Sequence, residues 1–392
     1  MHWPTLLHSW LPFQEFDVYV VGAQECQSEI VASLHSPEKS EWEAKIRGTI
    51  GSKYSMVASE TMGAFMVAAR AFFCICIVES ECAVALFCVL LCLCLSHAIS
   101  GAVHIAAFVS KRLLPYVKSV ETASVKTGFN GTVSNKGCCA LSFTLGSTSF
   151  LFCSAHLEAH AHNVAARNDG WSRIESELCK RLSKCRGKPQ ATMVSECFDR
   201  VVFMGDLNYR VAEEYKVVCE AIARNDMAYL LGLDQLRQVT CSTFQFFHVT
   251  DNQQEMINKS VFTEYLEHPI TFPPTYKFDI NSDDYDSSKK ARTPSWTDRI
   301  LFKSNSDLAW DCLHYSSVAP IKSSDHRPVH AIFNSVKAHL LLVFSLLDSQ
   351  RSRCSLMKLR ISPKLHQIQN QALHVFCNSP FFIQVFTLVH SQ

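Results

Sequence analysis

Several short apolar runs in this chain stop abruptly at a polar cluster, and that feature restricts its possible folds more than any other. Val201 to Met204 (VVFM) ends in Gly205-Asp206-Leu207-Asn208. Phe16 to Val21 (FDVYVV) ends at Gly22 and is followed by Gln24-Glu25. Ser142 to Ser154 (SFTLGSTSFLFCS) reads as a hairpin around Gly146-Ser147, and its second run leads into Ala155-His156. Trp296 to Phe302 and Val329 to Phe333 read as later strands, and Asp325-His326 stands just before the second of them. Helical patterns occur at Ser40 to Ile50 and Asn163 to Lys184. The expected class is α/β, with a sheet whose strand ends carry a site.

Composition narrows the class further. A chain of 392 residues that is 48% hydrophobic can bury a large core. Lys and Arg number 37 against 36 Asp and Glu, so no bulk basic field draws the protein to nucleic acid, and no nucleic-acid partner is expected. Of the 18 cysteines, Cys74, Cys76, Cys82, Cys88, Cys92 and Cys94 crowd one apolar stretch. The others are scattered, with no C-x-x-C pair and no spacing typical of a zinc site. Met1 to Trp10 lacks the charged start and apolar core of a secretory signal. The expectation is a reducing, cytoplasmic setting in which free thiols serve as small hydrophobes.

Two segments depart from ordinary globular sequence. Phe72 to Ala102 is strongly apolar, and no charged residue occurs from Cys82 to Ser110. A membrane span over 82–110 is long enough, but it would cut one domain in two. An insertion at about 72–102, such as a retained intron, is the preferred reading over a span or a buried helix. The tail from Val336 to Gln392 has no Gly, one acid (Asp348) and apolar runs without clean turns, and reads as an extension of uncertain order.

Each polar cluster is weak evidence alone. Glu25 at a strand end suits a hard cation, or simply a helix N-terminus. His156 could donate to an anion, or sit satisfied in a core. Asp206 and Asn208 stand two residues apart, as a strand face or an Asx turn would place them. Asp298 precedes an apolar strand and could orient a histidine. Taken together, these residues supply carboxylates for a cation, a base for water and donors for phosphoryl oxygens. Metal-assisted hydrolysis of a phosphate ester needs that set. The chain has no G-x-x-x-x-G-K-[ST] loop, no G-x-G-x-x-G and no G-x-S-x-G elbow.

NKG (135–137), AHLEAH (155–160) with Arg167 and Asn168, GDLNYR (205–210), PPTYKFD (273–279), RTPSWTDRIL (292–301) and SSDHRPV (323–329) occur in that order. The series strongly resembles the inositol polyphosphate 5-phosphatase catalytic domain, in its type II and synaptojanin-like form. The resemblance covers 13–71 and 103–335, so one catalytic domain over 13–335 is expected, interrupted by the apolar insertion. It implies the DNase I-like sandwich of two packed, mixed β-sheets flanked by helices. The family opens on a strand with a T-x-N pattern, and His2 to Gln14 contains none, so a missing first strand is expected.

The resemblance also implies roles. Glu25 would bind Mg²⁺, and Asp206 would activate water. Asn208 and His156 would hold the scissile 5-phosphate. His326 would meet the phosphoryl group in the transition state, oriented by Asp298, with Asp325 completing the metal and water environment. Tyr276, Lys277 and Lys290 would bind the 4-phosphate, with Lys136, Arg210 and Arg292 adding to the substrate-binding set. The implied substrate is phosphatidylinositol 4,5-bisphosphate or a soluble inositol polyphosphate, reached at a membrane surface through peripheral contact. Two other readings stay open: a catalytically impaired phosphoinositide-binding fragment, and a nuclease or other phosphodiesterase of the same fold.

Overall fold

The computed structural model describes residues 16–26, 37–62, 102–128, 133–240, 261–306, 310–335 and 381–389. Two mixed sheets pack face to face. Among the strands, β1 (Val18–Cys26), β2 (Tyr54–Met62) and β3 (Ala102–Ser110) lie in the first sheet, and β4 (Val117–Gly128), β5 (Val133–Leu145), β6 (Thr148–His156), β7 (Arg200–Asp206) and β8 (Asp298–Ser304) make the second. The first sheet is completed by β9 (Trp310–Ser317), β10 (Val329–Ser335) and β11 (Phe381–Val389), in the order β2-β3-β1-β11-β10-β9.

Period-two alternation builds the layers. Val18 and Val20, Ile105 and Ala107, Phe150 and Phe152, Val202 and Met204 all turn into the core between the sheets. The alternate residues Tyr19, Val21, Ala106 and Phe108 pack under helix α1 (Pro37–Ile50) through Trp42 and Ile46. On the far side, Leu151, Cys153 and Phe203 meet Trp171, Ile174 and Leu178 of helix α2 (Val164–Arg181). The helices expected over 40–50 and 163–184 and the hairpin over 142–154 are all present.

The first sheet departs from expectation at its centre. The sequence reading leaves a central strand missing and treats the tail as an extension. Instead β11, from the tail, lies between β1 and β10, parallel to the first and antiparallel to the second. Nine residues without Gly, Pro or charge (FFIQVFTLV) suit a doubly buried strand. Ile383 and Val385 point into the inter-sheet core. Gln384 is fully buried on the opposite side, and among the described residues neither polar atom of its amide has a hydrogen-bond partner. Residues 336–380 lie outside the described set.

The insertion expected at 72–102 falls almost wholly outside the described residues, between the paired strands β2 and β3. The charge-free stretch does not run as one helix to Ser110, because 102–110 is strand β3, with Val103 to Val109 buried. Among the described residues no helix is long and apolar enough to cross a membrane.

The position of β11 has a measurable consequence. Gln384→Met should raise the unfolding free energy by about 1 kcal/mol, because an unpaired buried amide is replaced by an apolar chain of similar length. Val385→Asp should lower it by about 3 kcal/mol or more. Urea unfolding reads both changes, and a chain indifferent to the two substitutions would not have β11 in its core.

Candidate active site

The site forms because strand ends coincide. β6 and β7 run parallel, with His156 opposite Asp206, and β7 and β8 run antiparallel, with Asp206 opposite Asp298. Gly137 stands opposite His156 on β5 and brings Lys136 alongside. One row across four strands therefore collects a lysine, a histidine and two aspartates. The β6–β7 approach depends on Gly205, whose φ is +130°; a Cβ there would lie 2.0 Å from the carbonyl oxygen of Ala155.

The contacts within the row are direct. His156 Nε2 lies 3.1 Å from Asp206 Oδ2 and 3.8 Å from Glu25 Oε1, and it also contacts Lys136 Nζ. Asn208 donates from its amide Nδ2 to Asp206 Oδ2 and to the Leu157 carbonyl, both at 3.0 Å. Glu25 and Asn208 both adopt left-handed backbone, with φ of 54° and 58°. Such strain in non-glycine residues gathers at sites that the surrounding structure over-determines.

His326 reaches the row from the loop before β10. Its Nδ1 lies 3.0 Å from Asp298 Oδ2, and that oxygen also accepts the hydroxyls of Thr275 at 2.7 Å and Thr297 at 3.0 Å. The Tyr276 ring lies 4.5 Å from the His326 ring, and the Arg210 guanidinium lies 4.2 Å over Tyr276 while bonding Asn208 Oδ1. Lys277 pairs with Asp325 at 2.7 Å, and Asp325 Oδ1 is 3.9 Å from His326 Nε2. Arg292 turns on Asp286, which accepts its backbone N–H at 2.8 Å. Lys290 lies on the same loop and is exposed; no contact joins its ammonium to the cluster. Every other sequence-predicted site residue is gathered here.

Electrostatics divide the charges. Burial alone would push the Asp206 carboxyl up, but the hydrogen bond and electrostatic pull of His156, with the pull of His326 and Lys136, hold it well below the usual carboxylate range. Burial alone would likewise lower His326, yet the Asp298 charge and hydrogen bond, with Asp206 and Asp325, raise it to about 9. Asp206 is therefore an anion and His326 a cation near neutral pH. Burial lowers the Lys136 ammonium against the pull of Asp206, Glu25 and Glu158.

Sequence reasoning missed the supports. Gln24 Nε2 donates to Ser154 Oγ at 2.8 Å, and Thr387 Oγ1 donates to Gln24 Oε1 at 2.9 Å. This buried chain ties β1 and β11 to β6 directly beneath Glu25 and His156. Arg167, buried, donates to the carbonyls of Glu158 at 3.1 Å and His160 at 2.7 Å, and Asn168 accepts the Tyr209 hydroxyl at 2.7 Å. Arg167 thus holds the loop after His156 in place, and Asn168 ties α2 to the loop after β7.

The match to known proteins decides the family. A family model, "Endonuclease/Exonuclease/phosphatase family 2", covers residues 94–332. The inositol polyphosphate 5-phosphatase domain of a synaptojanin, solved with inositol (1,4)-bisphosphate and calcium ion, is 30% identical and superposes with a TM-score of 0.57 over 89% of this chain and 86% of that one. The chain belongs to the endonuclease/exonuclease/phosphatase family, in its inositol polyphosphate 5-phosphatase group. Its curated relatives include inositol-1,4,5-trisphosphate 5-phosphatase 1 of Schizosaccharomyces pombe, 32% identical over 84% of this chain and 26% of the relative. Phosphatidylinositol polyphosphate 5-phosphatase type IV of Rattus norvegicus is 30% identical over 81% of this chain and 40% of the relative. The chain thus spans well under half the length of these two 5-phosphatases.

A titration tests the charge assignment within this 5-phosphatase fold. In a metal-free sample, the His326 ring followed by NMR should titrate at about 9. Asp298→Asn removes the largest influence raising it, so the midpoint should fall toward the ordinary 6.5. An unchanged midpoint would show that Asp298 does not hold the proton on His326.

Proposed function

We propose that this chain hydrolyses the 5-phosphate monoester of phosphatidylinositol 4,5-bisphosphate or a related inositol polyphosphate, by direct attack of water in the presence of Mg²⁺. The observation that carries the reading is the strand-end row itself, in which Asp206 lies 3.1 Å from His156 and opposite Asp298, and Asp298 holds His326 at 3.0 Å. A phosphoryl group bound at this row would meet the histidine donors and the Asp206 proton acceptor together.

The donor set suits a hard divalent cation. Glu25 offers a carboxylate that is 34% exposed, and its oxygen lies 3.8 Å from His156 Nε2, beside the His156–Asp206 pair. Glu25 would hold Mg²⁺. When bound, the ion polarises phosphoryl oxygens and offsets the charge that develops on them.

The chain's own residues supply the remaining chemistry. Asp206 aligns the attacking water and takes its proton as the new P–O bond forms. Asn208 is locked by Asp206, Leu157 and Arg210, and presents a fixed amide beside the phosphoryl group. His326, protonated and braced by Asp298, donates through Nε2 to the oxygens that gain charge. The bond from phosphorus to the ring oxygen breaks, and that oxygen leaves as a hydroxyl after taking up a proton. No covalent enzyme intermediate is needed.

Specificity follows from cations beyond the reacting row. Arg210 over Tyr276, Lys277 on Asp325 and Arg292 on Asp286 form a positive wall suited to a second ring phosphate. Lys290 lies near this wall in sequence and would reach a bound headgroup from the exposed side. The substrate headgroup is the same on a lipid or free in solution, and access to the lipid form would need only peripheral contact at a membrane surface.

Phosphate release from phosphatidylinositol 4,5-bisphosphate tests the proposal. Release should require Mg²⁺ and stop with EDTA. Asp206→Ala and His326→Ala should each lower the rate by about 10²–10⁴. Arg292→Ala should instead raise KM by about tenfold or more, with a smaller change for a substrate lacking the 4-phosphate. Wild-type release no faster than that of Asp206→Ala would leave a binding module, and equal cleavage of abasic DNA would point to a nuclease.

A further inference from the structure

Away from the site, three cysteines that the sequence leaves scattered come together. Cys179 lies in the last turn of α2, Cys185 in the short helix α3 (Ser183–Arg186), and Cys197 just after the turn Val194–Glu196. Their sulfur atoms all lie within 4.8 Å of one another. Cys185 and Cys197 are buried, while Cys179 is partly exposed and opens the group to solvent. The sequence spacing of these three residues, six and twelve apart, gives no sign of the convergence.

Each thiol sits on a separately anchored piece of backbone. The turn carrying Cys197 is pinned to α2, because the buried Glu175 accepts the Ser195 N–H at 2.9 Å and the Tyr265 hydroxyl at 2.9 Å. The loop between Cys185 and Cys197 is braced by Lys188 N–H to the Cys185 carbonyl and Ala191 N–H to the Lys188 carbonyl, both 2.9 Å. Glu196 adds a carboxylate that accepts the N–H of Thr192 at 3.0 Å. Cys179 and Cys197 point their S–H groups at the carbonyls of Ala191 and Met193, at 3.5 and 3.7 Å. The three sulfurs are thus held together by the fold before any ligand arrives.

We propose that Cys179, Cys185 and Cys197 form a three-sulfur site for a thiophilic d¹⁰ cation of the Zn²⁺ or Cu⁺ class, entered from the Cys179 side. The geometry allows it. With metal–sulfur bonds of about 2.3 Å, three sulfurs around one ion stand about 3.8–4.0 Å apart, inside the observed limit. Soft thiolates are the ligands that select these ions over Mg²⁺ or Ca²⁺. Binding Zn²⁺ replaces three S–H protons with three metal–sulfur bonds and releases the protons to solvent, leaving a complex of charge −1. The Lys188 ammonium lies close enough to favour the Cys197 thiolate and offset that charge. In the empty site burial keeps the Cys185 and Cys197 thiols protonated, which explains how three sulfurs share the space without repulsion. The ion would clamp α2, α3 and the 194–196 turn into one unit, between the motif residues 167–168 and 205–210 along the chain.

Alkylation followed by peptide mapping tests this despite the other cysteines of the chain. The full-length protein, reduced and kept anaerobic, is treated with N-ethylmaleimide with and without one equivalent of Zn²⁺. Zn²⁺ should slow modification of Cys179 at least tenfold. The protection should vanish in Cys197→Ala, although Cys179 itself is intact there. The wild-type comparison stands even if that variant folds poorly, and Cys197→Ser offers the same test with a smaller packing change. Cys179 modified at one rate with and without Zn²⁺ would overturn the proposal, and so would protection that persists in both Cys197 variants.

Discussion

The parallel, in-register pairing of β6 with β7 is the interaction on which the rest of the structure depends. It ends two strands side by side, so that His156 and Asp206 meet at the edge of the second sheet. A parallel pair needs a long crossover, and α2 provides it while covering the outer face of the sheet. Gly205 is what allows the backbones to close at that edge, since any side chain there would collide with the Ala155 carbonyl. From this pair the charge pattern spreads outward: Lys136 on one flank, Asp298 and through it His326 on the other. Burial makes every one of these charges dependent on its neighbours.

The second sheet alone does not make the site, because Glu25 belongs to the first. The two are tied by the buried chain Thr387–Gln24–Ser154, which crosses the inter-sheet space just below the carboxylate. Its first member comes from the tail. A segment that looks like an appendage in the sequence therefore fills the centre of one sheet and also steadies the residue next to the expected metal ligand. The buried, unpartnered amide of Gln384 shows that this strand is not optimised for stability alone.

Much of this was legible in the residues. Strand ends at polar clusters marked His156, Asp206, Asn208 and Glu25 as candidates, each with an ordinary structural alternative, and the order of the motifs then singled them out through the family resemblance. The two covering helices and the hairpin followed from periodicity and from Gly146. The supports were not legible, and for physical reasons. Thr275, Thr297 and Ser154 act through single hydroxyls that resemble any other loop or strand hydroxyl until their acceptor is known. The ion pair of Lys277 with Asp325 joins positions 48 apart along the chain. The pairing of β11 with β1 joins the two ends of the described chain, and no local pattern encodes such a register. The cysteine cluster escaped notice for the same reason: its spacing is set by the fold of a loop, not by a short repeat.

Oxygen-18 labelling in a single turnover tests the central claim most directly. If the strand-end row drives water onto phosphorus, hydrolysis of phosphatidylinositol 4,5-bisphosphate in H₂¹⁸O places one label in the released phosphate and none in the inositol ring. Label appearing on the ring hydroxyl, or a phosphorylated protein trapped before release, would contradict it.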